Sequence, residues 1–423
     1  MKNQLLIILG KTLSRLIQLG NLGNGSTWPG HIALSYNPKF ISELLKKSKT
    51  KVIFVVGTNG KTTTTALISH LLSSTNHTVI QNTSGANLIN GIASTLLLAT
   101  NFKGKIQADY ALFEVDENTF TEACAEITPD MIVMLNLFRD QLDRYGEVHT
   151  IAHNWKKVID KLPASKKLVL NADDPQIAYL GMGAMQRISY FGLNEDGVNK
   201  LDHASDSIYC PVCKTKLKYK KSYYSHLGDW TCPKGDFKHP VDIFSKSPHY
   251  PLNGVYNRYN TLAALLAVKN LGINADDHLK DFRPAFGRQE QLVIEGKRVE
   301  IILAKNPAGF NQTLQTVLEQ KAANILLALN DRIADGTDVS WIWDVDFENL
   351  INKSILLTTT GDRAYDLALR LKYAGLSSKI ELNLSDALSH ALSQTKKSET
   401  LYILPTYTAM LEIRKLLVGK KIL

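Results

Sequence analysis

The stretch KVIFVVGTNGKTTTTAL, Lys51 to Leu67, decides the fold. An apolar run, KVIFVV, reads as a buried strand and leads through Gly57-Thr58-Asn59-Gly60-Lys61-Thr62 directly into a helix. Strand, Gly-rich turn and helix start together make a phosphate cradle, in which backbone N–H groups and the helix dipole face the anion. Lys61 is placed to reach the β- and γ-phosphates, and the Thr62 hydroxyl to bind Mg²⁺. The usual spacing would put glycine at position 55, where this chain has Val55, so the loop is a shortened variant set on Gly57 and Gly60. The expectation is a site for a nucleoside triphosphate.

Outward from this loop, short apolar runs alternate with amphipathic stretches. HTVIQN, YALFEV, MIVMLN and KLVLN read as further buried strands, and HTIAHNWKKVIDKL as a helix. This alternation predicts an α/β fold with a mostly parallel, doubly wound sheet. NGVYNRYNTLAALLAVKNLG reads as a helix ending at Gly272. A second alternating series (VEIILA, NILLAL, SILLTT, KIELNL, TLYILP) begins near Val299. We therefore expect a central domain over 1–295 and a smaller, Rossmann-like α/β domain over 296–423. The central domain would open with an amphipathic helix over 1–20 and carry a polar, Lys- and Tyr-rich insert at about 206–240.

A chain of 423 residues with 44% hydrophobic and 21% charged side chains is a globular protein of two or three domains. The apolar run LLIIL near the N-terminus is too short for a signal peptide or a spanning helix. With Lys2, Lys11 and Arg15 around it, the helix is expected to lie on the protein itself or on a membrane surface. Four cysteines argue for a reducing compartment rather than a disulfide framework, so the expected location is cytoplasmic, at most touching the inner face of the membrane. A net charge of +9 favours acidic partners without choosing among nucleotide, phosphorylated lipid and nucleic acid.

In ALFEVDEN an acidic residue ends the strand expected beside the phosphate loop, where it can coordinate Mg²⁺; Glu114 is the candidate, with Asp116 and Glu117 as alternates. The insert IYCPVCKTKLKYKKSYYSHLGDWTCPKGDF has the look of a zinc ribbon short of one ligand. Cys210 and Cys213 form a C-x2-C pair and Cys232 follows, but Lys234 and Gly235 stand near the fourth position. His226 or His239 would complete a Cys₃His set, or another ligand would supply the fourth position; failing these, the ribbon would be metal-free and held by its aromatic residues. Cys124 reads as a core thiol on a helix face.

GTNGKTTT, FEVDE, MLNLFRDQLDRYGE, LNADDP, GVYNRYNTLAA and GRQEQ occur in the order and spacing of the Mur ligase family, which the chain resembles from Lys51 to its C-terminal part. That resemblance implies an ATP-dependent ligase that converts a carboxylate into an acyl phosphate, which an amine then attacks. Three departures narrow the branch. Only 56 residues precede Gly57, too few for the UDP-sugar-binding domain of the amino-acid-adding members. Asp140-Gln141-Leu142-Asp143 has glutamine where those members have a histidine ligand of a second Mg²⁺. AKNPAGFNQTL replaces their D-Y-A-H-type loop. Folate-polyglutamylating ligases have G-K-G-S where this chain has Gly60-Lys61-Thr62-Thr63.

With KNPAG, DGTDVSWIWD and the cysteine insert, the combination resembles the MurT-type branch, whose members serve lipid II isoglutaminyl synthase. The branch implies amidation of the D-glutamate α-carboxylate in the lipid II stem peptide, with ammonia from a GatD-type glutaminase partner. No cysteine here sits in a strand-to-helix elbow, so a second chain would be needed to hydrolyse glutamine. Carried over, Thr58, Asn59, Gly60, Lys61, Thr62 and Thr63 would hold ATP, with Mg²⁺ on Thr62 and Glu114. Asn257 and Asn260 match the helix face presented to adenine, and Arg288 an arginine near the phosphates. Asp338 matches the aspartate of the amidation step, ahead of Asp335 and Asp344, while Lys305 and Asn306 would face the acyl phosphate. In the branch, four cysteines hold a structural Zn²⁺, of which Cys210, Cys213 and Cys232 remain. The insert is expected to lie outside the chemistry.

Two other readings compete. One is a ligase adding an amino acid to a muramyl or folate-like substrate, against which the short front end, Gln141 and KNPAG weigh. The other is a nucleic-acid-binding P-loop NTPase, which KLKYKKSYYSH would serve locally; no helicase or recognition-helix motif accompanies it, so no nucleic-acid partner is expected.

Overall fold

The computed structural model describes residues 2–19, 27–82, 85–139, 148–197, 205–284 and 287–419. Asp140-Gln141-Leu142-Asp143, and with it the question of a second Mg²⁺ site, lies outside the described residues.

In the first half the strands are β1 (Lys51–Val56), β2 (Val79–Gln81), β3 (Tyr110–Val115), β4 (Met131–Met134), β5 (Lys167–Asn171), β6 (Arg187–Phe191), β7 (Lys218–Tyr224), β8 (Leu227–Thr231) and β9 (Ile243–Phe244). Seven of them form one sheet in the order β2-β3-β1-β4-β5-β6-β9, and every pairing in it is parallel. Such a sheet must be covered on both faces, which is why its strands read as continuous apolar runs. Along β1 the side chains alternate between two cores: Val52, Phe54 and Val56 enter one, Ile53 and Val55 the other. The helices Lys61–Ser74 and Val255–Asn270 cover the second face, the latter followed by Gly272 in the left-handed conformation. The first face is covered by Ile89–Ala99, Val148–Ile159 and the N-terminal helices Lys2–Leu19 and Phe40–Lys46.

The second half contributes β10 (Arg288–Ile294), β11 (Lys297–Ile302), β12 (Asn324–Ala328), β13 (Leu356–Thr360), β14 (Lys379–Ile380) and β15 (Thr400–Pro405). They form a sheet in the order β10-β11-β15-β12-β13-β14, parallel except for the antiparallel β10–β11 hairpin. That hairpin corrects the expected division at 295/296. Glu295 (φ 51°) and Gly296 (φ 75°) are the two central residues of its turn, so the division would cut a tight hairpin in half. The second sheet starts instead at Arg288, immediately after Gly287. KIELNL, expected as a strand, is one only at Lys379–Ile380.

The insert forms the antiparallel pair β7–β8 with its own small core of Cys210, Leu217, Trp230, Cys232 and Phe237. Among the described residues no helix is long and apolar enough to cross a membrane.

Candidate active site

The phosphate loop leaves β1 at Gly57 (φ 139°), where a Cβ would stand 2.9 Å from the Asn136 carbonyl oxygen. At Gly60 (φ 89°) a Cβ would come within 2.1 Å of Asn260 Oδ1. Both positions therefore need glycine, one to pass β4 and the other to pass the helix Val255–Asn270. Asn136, at the end of β4, braces the loop from both sides. Its Oδ1 accepts from Asn59 N at 2.8 Å and its Nδ2 donates to Asn59 O at 3.0 Å. The Thr58 hydroxyl donates to Phe138 O at 3.2 Å and accepts from Phe138 N at 3.0 Å. The Thr58 side chain thus shapes the loop.

The Lys61 ammonium is buried and donates to Gly57 O at 2.5 Å, to Thr58 O at 3.3 Å and to Glu117 Oε2 at 3.0 Å. Glu117, an alternate for Mg²⁺ in the sequence, is instead the counter-ion of this lysine. Beside it the Thr62 hydroxyl donates to Glu114 Oε2 at 2.8 Å. Glu114 is held at the end of β3 by Asn82, which accepts from its N–H at 2.9 Å and donates to its carbonyl at 2.8 Å. A hydroxyl and a carboxylate oxygen so placed are the hard oxygen donors that Mg²⁺ takes.

Next to these groups is a narrow cleft between the two sheets' domains, lined among others by Asn59, Gly60, Thr63, Asn257, Asn260 and Arg288. The asparagines form a chain from loop to helix. Thr64 Oγ1 donates to Asn260 Oδ1 at 3.3 Å, Asn260 Nδ2 to Asn257 Oδ1 at 3.0 Å, and Asn257 Nδ2 to Asn253 O at 2.7 Å. Gln289, in a left-handed conformation (φ 61°), bonds both ways to the Asn253 backbone at 2.8 and 3.0 Å. This pins the first strand of the second sheet to the start of the asparagine helix and sets Arg288 in the cleft. Burial pushes the Arg288 pKa down, opposed by the carboxylate of Glu114, and no described carboxylate pairs with it directly.

The second domain also reaches the loop through Asn306. Its Oδ1 caps the helix Pro307–Glu319 by accepting from Gly309 N at 2.8 Å, and its Nδ2 donates to Asn59 Oδ1 at 3.0 Å. Lys305 lies half-buried just before it. Asp338 is not brought to this cleft. It is exposed, and hydrogen bonds from Ser340 hold its pKa below the usual carboxylate range. Asp335 is buried as an acceptor for Thr408 N at 2.8 Å, a brace within the second domain. Exposed Asp344 lies 3.8 Å from Arg139, which also pairs with Asp206 at the start of the insert.

The insert does not stay outside the site, as its sequence led us to expect. Tyr224 and Leu227, at the tip of the β7–β8 hairpin, line the cleft. Tyr224 packs its ring 5.0 Å from Phe138 and accepts from Asn59 Nδ2 at 3.5 Å. Away from the tip, the sulfur atoms of Cys210, Cys213 and Cys232 lie within 4.8 Å of one another and can hold a metal ion. That spread is compatible with tetrahedral zinc, whose thiolate sulfurs stand about 3.8 Å apart.

Neither histidine completes the set, a second correction. His239 Nε2 bonds Asp173 Oδ1 at 2.7 Å, and His226 Nε2 stands 3.4 Å from Asp174 Oδ2. Both aspartates are fully buried; Asp173 holds the His239 imidazole by a hydrogen bond, and His226 is itself fully buried beside Asp174. Burial pushes the Asp173 pKa up, against the bonds it accepts from His239, Leu193 and Tyr259.

Three groups here have no marker in the sequence reading: Asn136, Glu117 as the lysine's partner, and Tyr224. Asn136 was within reach of the rule that found Glu114, since it too follows a central parallel strand.

Comparison with known proteins settles the family. The Mur ligase middle domain matches residues 55–268, and the MurT ligase C-terminal domain matches residues 303–410. The chain is 36% identical to the "Lipid II isoglutaminyl synthase (glutamine-hydrolyzing) subunit MurT" of Streptococcus pneumoniae, over 96% of this chain and 95% of that one.

The chain belongs to the Mur ligase family, in its MurT branch.

A second member of the branch, the MurT subunit of Staphylococcus aureus (strain COL), is 34% identical over 91% of each chain. Solved structures confirm the Mur ligase fold. A pseudomurein peptide ligase type C from Methanothermus fervidus superposes with TM-score 0.69 at 22% identity, covering 89% of this chain and 80% of that one. The MurF ligase from Thermotoga maritima, in complex with ADP, gives 0.62 at 15% identity, covering 90% and 82%. Within this Mur ligase fold Gly60, Asn257, Asn260 and Arg288 line one cleft.

Proposed function

We propose that this chain is the ATP-dependent ligase subunit of a lipid II isoglutaminyl synthase. It would activate the α-carboxylate of D-glutamate in the stem peptide for amidation to D-isoglutamine. The observation that carries the proposal is the convergence of Lys61 and the Thr62–Glu114 pair with Arg288 and Asn306 of the second domain. The likeness to MurT subunits over nearly the whole chain supports the choice of substrate.

In this reading ATP lies in the cleft, with its base toward Asn257 and Asn260 and its phosphates on the Gly57–Lys61 loop. Lys61 exchanges Glu117 for the γ-phosphate, so a buried ammonium keeps an anionic partner throughout. Mg²⁺, held by Thr62 and Glu114, would supply charge neutralisation at the β- and γ-phosphates. The substrate carboxylate oxygen attacks the γ-phosphorus in line and the bond to the β-phosphate oxygen breaks, leaving ADP and an acyl phosphate. Arg288 balances the charge from the opposite wall, and Asn306 holds the second domain against Asn59 so that water is kept out. Ammonia then attacks the acyl carbon, phosphate leaves, and the amide forms.

The ammonia comes from a second chain, a GatD-type glutaminase. Burial pushes the Cys124 thiol up to about 12, and the remaining cysteines form the thiol triad, so none offers a glutaminase nucleophile. Asp338 is exposed, as are Trp343 and Tyr373 of the same domain, whose ring centroids lie 5.5 Å apart. Exposed Tyr365, Leu369 and Tyr373 on the helix Ala364–Tyr373 extend that surface, which suits a partner docking over Asp338. We assign Zn²⁺ to Cys210, Cys213 and Cys232 with a fourth ligand other than histidine, and place the protein in the cytoplasm at the inner face of the membrane, where a lipid-linked substrate is reached.

The test is co-expression with the glutaminase, followed by ATP, glutamine and lipid II and mass detection of the amide. The Lys61→Ala variant should lose on the order of 10³-fold in rate, while the glutaminase alone keeps its fold. Undiminished amidation by that variant would overturn the assignment. Elemental analysis of the purified protein should find about one zinc per chain, as three thiolates and one further ligand hold a single ion. Under roughly a tenth of that retires the zinc.

A further inference from the structure

The N-terminal helix Lys2–Leu19 carries two apolar faces, and only one of them is covered. Leu6 and Ile7 are buried in the core, whereas Leu5, Leu9 and Leu16 are 60, 52 and 59% exposed. Between this helix and Trp28–Tyr36 runs a groove lined by Leu5, Leu6, Leu9, Leu13, Ile32 and Tyr36. Trp28 and Tyr36, 62 and 68% exposed, stand on the second helix with their rings toward solvent. A soluble surface helix normally turns a polar face outward; a second apolar face marks a binding surface.

The charge around the groove identifies its partner. No Asp or Glu precedes Glu43, while Lys2, Lys11, Arg15 and Lys39 do. The neighbouring loop adds to the same surface: Lys11 Nζ donates to Thr100 O at 2.5 Å and lies 5.6 Å from the Phe102 ring centroid. Phe102 is 73% exposed and is followed by Lys103 and Lys105, both exposed. A second copy of the chain is a poor occupant, because an isologous contact would set these cations against their own copies. An anionic bilayer suits both features: leucines and aromatic rings enter the acyl boundary while lysine and arginine meet the phosphates.

We propose that this face, the groove of the first two helices with the Phe102 loop, docks the protein on an anionic phospholipid membrane, the helix lying in the plane of the surface. The proposal deepens the reading of a lipid-linked substrate but is measured without it.

The full chain is sedimented with vesicles of phosphatidylglycerol and phosphatidylethanolamine, and with phosphatidylcholine alone. Binding is expected to the first and not the second, and to fall in about 0.5 M salt. Leu5→Glu with Leu9→Glu should lower binding roughly tenfold while leaving ATP affinity and thermal midpoint unchanged. Arg15→Glu with Lys103→Glu leaves the leucines intact and should lower it several-fold. Absence of sedimentation, equal binding to phosphatidylcholine, or full binding by the charge-reversal pair overturns the proposal. So does self-association that the leucine pair abolishes in a protein that ignores vesicles, or a groove that takes a short polyprenyl phosphate but no bilayer. Loss of ATP binding in the wild type, with vesicle binding kept, would instead sink the ligase reading and leave this one standing.

Discussion

The helices Lys61–Ser74 and Pro307–Glu319 both follow a parallel strand and both give early-turn residues to the cleft, yet they treat their first N–H groups differently. The first begins at Gly60, which has no side chain to cap it. The second begins at Asn306, whose own Oδ1 accepts from Gly309 N. An uncapped helix start leaves donors and a positive dipole end for an anion; a capped one has already used them. The same local element is thus open at its start in one domain and capped, as a docking piece, in the other. The two are joined directly, because the amide that caps one helix also bonds Asn59 of the loop that opens the other.

That contrast can be broken at either end. The largest effect should come from Gly60→Ala, which puts a methyl group where Asn260 Oδ1 lies and demands a left-handed alanine. A cost of about 1–3 kcal/mol is expected for the backbone alone, and misplacement of the loop should weaken ATP roughly 100-fold, read by calorimetry and a melting curve. Wild-type affinity in this variant would mean that the helix start is not the phosphate site. Tyr224→Ala tests whether the insert belongs to the site: ATP should bind roughly tenfold more weakly, with Tyr224→Phe close to wild type. If both variants bind as wild type does, the hairpin tip is only a neighbour. The smallest effect separates the two duties of Asn306. Asn306→Ala should lose about 1 kcal/mol of stability through the cap and also raise the KM for ATP. Asn306→Asp keeps a good cap but loses the donor to Asn59, so the KM should rise with little change in melting temperature. A KM unmoved in both would detach the second domain's helix from the phosphate loop.

Much of this site was legible because its parts are local. Gly57, Gly60, Lys61 and Thr62 lie in one turn, and a strand, a turn and a helix suffice to aim them. Glu114 was legible by the same logic at one remove, as the acid that ends the strand next to β1. Other parts had no local pattern to betray them. Tyr224 reaches Asn59 across 165 residues of chain, and nothing in a Lys- and Tyr-rich hairpin says that its tip lines the cleft between the domains. The histidines of the insert failed for the opposite reason. They lie within reach of the cysteines along the chain without the usual ligand spacing, and in the fold His239 bonds buried Asp173 while His226 is buried beside Asp174. The division at 295/296 failed because an apolar run marks a strand without saying which sheet it joins.

By itself, then, the sequence determined the α/β class, the glycine loop with its lysine and threonine, the carboxylate that ends the neighbouring strand and the Mur ligase family. Each of these rests on short-range geometry or on motifs in fixed order. Only the tertiary structure decided which side chains complete the cleft, that Glu117 holds Lys61, that the insert forms a wall of the site, and that the first helix leaves a second apolar face uncovered. Those are outcomes of burial, where polar groups far apart in the chain must find one another or stay unsatisfied, and no local pattern specifies the match.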